Sequence, residues 1–279
     1  MTTTTFGADL AETRYAEAPG GRFAYRRLGP RSTVPLVMAT RFRGTIDHWD
    51  PALLEVLGSQ RDVIMFDNRG TAASTGAPPD TIEGLAEGLL EFLGALGLTQ
   101  VDLLGWSMGG YVVQVATIKR PELVRRLIVA GSGPGTVPDL PAQSAKVRQV
   151  VGKPVLGDDD FLYLFFPETG EGRRAGLASL RRLDARLSGA HVEVTPAAVA
   201  AQNAAFAAFG TGVWERLGEL TLPVLVASGA HDVLIHAYAS YAMSQRLPNA
   251  KVILYSDAGH AFLFQHSDDF GHEVLNFLQ

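Results

Sequence analysis

The 279-residue chain has no cysteine. Disulfides, thiolate nucleophiles and thiolate metal sites are therefore excluded. It also lacks a basic excess: 24 Lys and Arg stand against 29 Asp and Glu, a net charge of −5. Neither a nucleic-acid partner nor an anionic membrane surface is expected from that balance. No apolar run nears the roughly 18 residues that would suggest a membrane span. The first nine residues, MTTTTFGAD, lack the basic and apolar blocks of a secretory signal, so a cytoplasmic location is expected. Internal repeats and low-complexity segments are missing too. What the chain does have is 47% hydrophobic residues, enough for a large folded core.

The apolar residues fall into a rhythm. Strand-like runs occur at 22–28, 35–39, 62–67, 100–105 and 126–131. Helix-like segments at 49–57, 81–98 and 110–120 separate the later ones, and Ile82, Leu85, Leu89, Leu93 and Leu96 keep helical spacing. Strands alternating with helices predict an α/β fold with a parallel sheet buried on both faces. The rhythm breaks at Gly131-Ser132-Gly133-Pro134-Gly135. Residues 136–216 carry helical tendencies at 161–166, 177–187 and 197–209, and no comparable strand. Strands at 221–228 and 251–255 and helices at 237–247 and 268–278 then resume the pattern. The expected organisation is a core over 1–135 and 217–279 with a helical cap over 136–216.

Between a strand-like and a helix-like run lies Gly105-Trp106-Ser107-Met108-Gly109. In that context Gly-x-Ser-x-Gly is a nucleophile elbow: a sharp turn presents the serine hydroxyl above the sheet edge. The pattern alone is weak, because two turn glycines and a helix N-cap serine give the same letters. Its partners decide. A serine hydroxyl needs a base, and a base histidine needs an orienting carboxylate. Asp232 follows the strand 221–228 in Gly229-Ala230-His231-Asp232, and His260 follows the strand 251–255 in Ser256-Asp257-Ala258-Gly259-His260. Both sit beyond strand C-termini, where parallel sheets place their sites. The rivals are less suited. His231 adjoins Asp232, His236 also falls late, and His266 and His272 read as surface or helix-cap residues. His48 and His191 read as structural or surface residues, and Asp257 as a turn former. The loop after residue 131 offers no carboxylate until Asp139.

An oxyanion hole needs two N–H donors. Met108, at the helix start, is expected to supply one, and the loop 40–44 the other, through Phe42. Core packing is the plainer reading of the Phe42 ring, and both can hold.

With these residues in view, the chain resembles the α/β-hydrolase fold superfamily, most closely the small cofactor-free bacterial esterase, haloperoxidase-like and C–C hydrolase group. The matching segments are 105–110, Asp67-Asn68-Arg69-Gly70 with Ser74-Thr75-Gly76, 229–232, and Gly259-His260-Ala261-Phe262. The resemblance implies a mostly parallel eight-stranded sheet flanked by helices, a helical cap, and no metal or organic cofactor. Relatives usually carry His-Gly after the third strand; here Thr40-Arg41 stands there. Members that dehalogenate or open epoxides use aspartate at the elbow, so Ser107 argues against those activities.

The expected reaction is hydrolysis of a small to medium hydrophobic ester or lactone through an acyl-enzyme. C–C bond hydrolysis and perhydrolysis use the same residues. A non-catalytic ligand-binding protein on this fold is the alternative of another class. A small-molecule substrate is the expected partner, and self-association is left open. Trp106, Phe161, Phe165, Phe166, Phe206 and Trp214 are candidates for an apolar substrate pocket, although cap-to-core packing explains them equally well. Arg41 and Arg43 read either as surface arginines or as a site for a substrate carboxylate.

Overall fold

A computed structural model describes residue 7, residues 11–189 and residues 193–279 of the chain; His191 lies outside these. Eight strands form one sheet: β1 (Arg14–Ala18), β2 (Gly21–Leu28), β3 (Leu36–Ala39), β4 (Val63–Phe66), β5 (Val101–Trp106), β6 (Val124–Ala130), β7 (Val224–Gly229) and β8 (Ala250–Tyr255). Their order is β1-β2-β4-β3-β5-β6-β7-β8. β2 runs antiparallel to β1 and β4, and the remaining pairs are parallel. Seven strands fall on the runs read from the sequence. β1 has no counterpart there, because this edge strand buries only Ala16 of its five residues and so carries no apolar alternation.

Burial on both faces follows from the pleat, which sends successive side chains to opposite sides. Val37 and Leu103 join one core cluster, whereas Leu36, Met38 and Leu104 join the other. Helices α1 (Pro51–Gly58), α2 (Ile82–Ala95) and α3 (Met108–Lys119) connect the first strands. Between β6 and β7 come α4 (Ala145–Val151), α5 (Asp158–Phe165), α6 (Gly170–Leu187) and α7 (Pro196–Phe209). Helices α8 (Tyr238–Ser244), α9 (Phe262–Gln265) and α10 (Ser267–Phe277) complete the chain. α1, α9 and α10 line one face, and α2, α3 and α8 the other. The stretch after α7 is not free-standing: Val213, Trp214, Leu217 and Leu220 are buried in the same cluster as Val224, Val226 and Met243.

A buried ion pair fastens the helical insertion to the core. Asp50 caps α1 by accepting from the Ala52 N–H, which suits its position before Pro51. Its carboxylate also accepts from the Ser179 hydroxyl at 2.7 Å and, through both oxygens, from the Arg182 guanidinium at 2.7 Å. Its side chain is 0% exposed, so every lone pair must be satisfied from within. Just upstream, the turn at Ile46–His48 is capped reciprocally. The Thr45 hydroxyl accepts from the Asp47 N–H, and His48 Nδ1 accepts from the Thr45 N–H at 3.1 Å. Burial, helped by Arg41 and Arg186, pushes the His48 imidazole down to about 3.

Two outcomes are expected. Arg182→Met should lower the unfolding free energy by about 3 kcal/mol, because it strands the Asp50 carboxylate. Asp50→Asn added to Arg182→Met should recover part of that loss; urea unfolding of the three proteins measures both. His48 is held neutral below its ordinary pKa, so its contribution is intact above pH ~6.5 and is lost as pH falls toward 3. The melting temperature of His48→Gln should therefore fall less steeply from pH 7 to pH 4 than that of the parent.

Candidate active site

The turn between β5 and α3 leaves no room for side chains. A Cβ on Gly105 would overlap the Gly109 carbonyl, and one on Gly109 would overlap the Ala39 carbonyl of β3. Ser107, between them, has φ 56° and ψ −121°, a left-handed conformation that costs an L-residue energy. The turn is held by the Ser107 N–H donating to the Ala130 carbonyl at 2.9 Å and the Gly110 N–H donating to the Ser107 carbonyl at 2.9 Å. Ser107 holds the N-cap position of α3, but its side chain makes no capping bond to the helix. α3 thus begins at Met108, two residues earlier than its apolar pattern suggests.

Asp232 and His260 come together from the loops after β7 and β8. Gly229 makes this possible: a Cβ there would overlap the Gly259 and Ala258 carbonyls, so the two loops touch backbone to backbone. His260 Nδ1 lies 2.7 Å from Asp232 Oδ2. The other carboxylate oxygen accepts from the Leu234 N–H at 2.8 Å and the Ile235 N–H at 2.9 Å. A carboxylate so placed is an acceptor only, so Nδ1 carries the proton and Nε2 presents its lone pair. Nε2 is buried with no hydrogen-bond partner. His260 and Ser107 both line a cavity of about 350 Å³.

The loop after β3 forms another wall. Arg41, Phe42 and Arg43 all line the cavity. The Phe42 N–H has no acceptor among the described residues, and the Met108 N–H opens α3, where no preceding helical carbonyl can take it. Arg43 has φ 53°, and the insertion holds it in that shape. Gln202 Oε1 of α7 accepts from the Arg43 N–H at 2.8 Å, and the Arg43 guanidinium donates to the Lys153 carbonyl at 3.0 Å. The Phe42 ring meets Phe206 of α7 edge-on, with centroids 5.7 Å apart.

The pocket candidates divide. Phe165, Phe206 and Arg41 line the cavity. Trp106, Phe161, Phe166 and Trp214 do not, and each has a packing reason. Trp106 is fully buried, and its indole N–H donates to the His260 carbonyl at 3.1 Å. It supports the histidine loop from behind. Phe161 stacks on Phe165 at 4.5 Å. Phe166 faces a larger outer groove of about 770 Å³, and Trp214 is covered by Arg246 at 4.1 Å. Tyr111, Gln143, Leu234 and Ile235 line both spaces and were not readable as pocket residues. They bear no motif, and only the fold brings α3, the start of the insertion and the acid loop together. Of the rival histidines, His266 pairs with Asp257 at 2.9 Å and stacks on Tyr255, His272 lies beside the Asp268 carbonyl, and His231 lines the outer groove.

Known proteins agree with this architecture. A family model described as alpha/beta hydrolase fold matches residues 35–267. An alpha/beta hydrolase fold protein from Chitinophaga pinensis is 33% identical, with a TM-score of 0.88 over 98% of each chain. The RutD protein of Rhizobium rhizogenes is 27% identical, covering 88% of this chain and 92% of its own. A 2-hydroxy-6-oxononadienedioate/2-hydroxy-6-oxononatrienedioate hydrolase of Dechloromonas aromatica is 29% identical over 69% of this chain and 67% of its own. Sheet order, elbow and matched length lead to one assignment: the chain belongs to the α/β-hydrolase fold family and is a hydrolase of that fold.

Proposed function

We propose that the protein is a serine hydrolase in which Ser107 is the nucleophile, His260 the general base and Asp232 the orienting acid. The observation that carries this reading is the 2.7 Å contact from Asp232 to His260 Nδ1, which leaves Nε2 without a partner on a residue that lines the same cavity as Ser107. Rotation of the Ser107 hydroxyl toward Nε2 completes the relay, a bond that often tightens only when substrate arrives. His260 takes the hydroxyl proton as Ser107 attacks a carbonyl carbon. The Met108 and Phe42 N–H groups receive the tetrahedral oxyanion, and His260 returns the proton to the leaving oxygen. Water, deprotonated by His260, then cleaves the acyl-enzyme. None of these steps calls on a cofactor.

The substrate proposed is a small to medium hydrophobic carboxylic ester or lactone. Support comes from the cavity's size and its walls of Phe42, Phe165, Phe206, Leu164 and Leu234. A second reading, C–C bond hydrolysis by the same residues, is favoured by the likeness to the Dechloromonas aromatica hydrolase named for a 2-hydroxy-6-oxo dienedioate.

A fluorophosphonate probe should label the protein, and Ser107→Ala should abolish labelling and lower ester turnover by about 10⁴-fold or more. Folded parent protein that resists the probe would remove the serine-hydrolase reading and leave a ligand-binding protein. Asp232→Asn should fold normally, since its amide oxygen can still accept the Leu234 and Ile235 N–H groups. Its NH₂ group then faces Nδ1 and forces the proton onto Nε2, so turnover should drop by roughly 10³- to 10⁴-fold. A panel of p-nitrophenyl esters, lactones and vinylogous diketones separates the two substrate readings. Cleavage of the diketones with esters untouched favours the second.

A further inference from the structure

Among the described residues Arg41 is a cation with no counter-ion. Its side chain lines the cavity beside Ser107, and its hydrogen bonding amounts to one bond from Nη1 to the Phe42 carbonyl at 2.8 Å. Nε is buried without a partner. Among the described residues no carboxylate lies within ion-pair distance of Arg41 or of its neighbour Arg43, and the cavity wall includes no Asp or Glu. Arg27, Arg125 and Arg182, by contrast, each meet a carboxylate: Asp62, Asp102 and Asp50 respectively. Arg41 lies in the same loop as Phe42, the proposed oxyanion donor.

The guanidinium is also placed, not loose. It lies 5.2 Å from the Phe165 ring and 5.8 Å from the Trp106 ring. The same two rings lie 5.4 Å and 5.7 Å from the His260 ring. Cation and base therefore share two aromatic neighbours, Phe165 in the cavity wall and Trp106 behind it. Burial and the proximity of Arg43 push Arg41 down to about 10, which leaves it charged at neutral pH. An unpaired, partly buried cation is unfavourable unless something else neutralises it. A planar guanidinium with open N–H groups matches a carboxylate in shape and charge.

We infer that Arg41 forms an anion subsite, and that the substrate carries a carboxylate in addition to the bond that is cleaved. This rests on Ser107 being the nucleophile for the cleavage, but the binding itself does not. Arg43 adds positive potential while its own guanidinium stays tied to the 153–154 backbone.

The test has a binding arm and a kinetic arm. In the Ser107→Ala protein, calorimetry should show benzoate binding at least tenfold tighter than benzamide. Arg41→Gln in that background should erase the difference, and Arg41→Lys should keep part of it, which guards against a folding failure. With wild-type protein, kcat/KM for p-nitrophenyl hydrogen glutarate over p-nitrophenyl pentanoate places the carboxylate on the acyl side. The ratio for 4-acetoxybenzoate over 4-acetoxybenzamide places it on the leaving side. One of the two ratios should exceed ten and collapse in Arg41→Gln, mainly through KM. Equal binding of benzoate and benzamide, or a preference that survives Arg41→Gln, overturns the subsite. Fluorophosphonate labelling of Ser107 without that preference sinks the subsite alone. The preference without labelling sinks the serine-hydrolase reading alone.

Discussion

The whole site depends on a backbone turn too tight for side chains on either side of Ser107. Gly105 and Gly109 let α3 fold back against β5 and β3 at a distance that no Cβ would tolerate. The positive φ of Ser107 is the strained product of that closeness. The energy stored there is offset by the sheet around it, where β5 is buried at all six positions. Because the turn is fixed, the Met108 N–H and the Ser107 side chain have fixed directions. The loops after β3, β7 and β8 need only arrive at the same edge, and the strand order brings them there.

Much of this was legible in the letters. Buried parallel strands advertise themselves as short apolar runs, and seven of the eight did so. The turn glycines, the carboxylate after β7 and the histidine after β8 were legible because chemistry demands those residue types at those points in the chain. The illegible parts share a physical cause. β1 is an edge strand with one buried residue, so no periodicity marks it. Trp106 adjoins the elbow serine, and Phe161, Phe166 and Trp214 are large aromatics of the stretch between β6 and β7, yet direction decides whether such a ring lines a cavity or packs elsewhere. Gln202 was invisible for the opposite reason. It is a common polar residue on an alanine-rich helix, and its one bond spans 159 positions of chain.

Charge follows two regimes in this molecule. Asp62, Asp102 and Asp50 are fully buried carboxylates, each met by a bidentate arginine that remains partly open to water. Such pairs fix the relative placement of elements more than they add stability. Arg41 belongs to the other regime, with a backbone carbonyl and two aromatic faces where Arg27, Arg125 and Arg182 have acids. A partly buried charge left unmatched beside a cavity is the kind of local cost that function explains better than packing does.

The bond from Gln202 to the Arg43 N–H has a consequence for how this chain can diverge. The helical insertion is where substrate range would ordinarily be free to drift, since it lies outside the sheet that builds the elbow. Here one glutamine of that insertion fixes the shape of the loop bearing the Phe42 N–H. Selection on the insertion for a new substrate is therefore coupled to the geometry of the loop proposed to receive the oxyanion. A graft that replaced α7 without an acceptor at that point would inherit the core and lose the loop's conformation. Specificity and rate, separable in a looser architecture, are inherited together in this one.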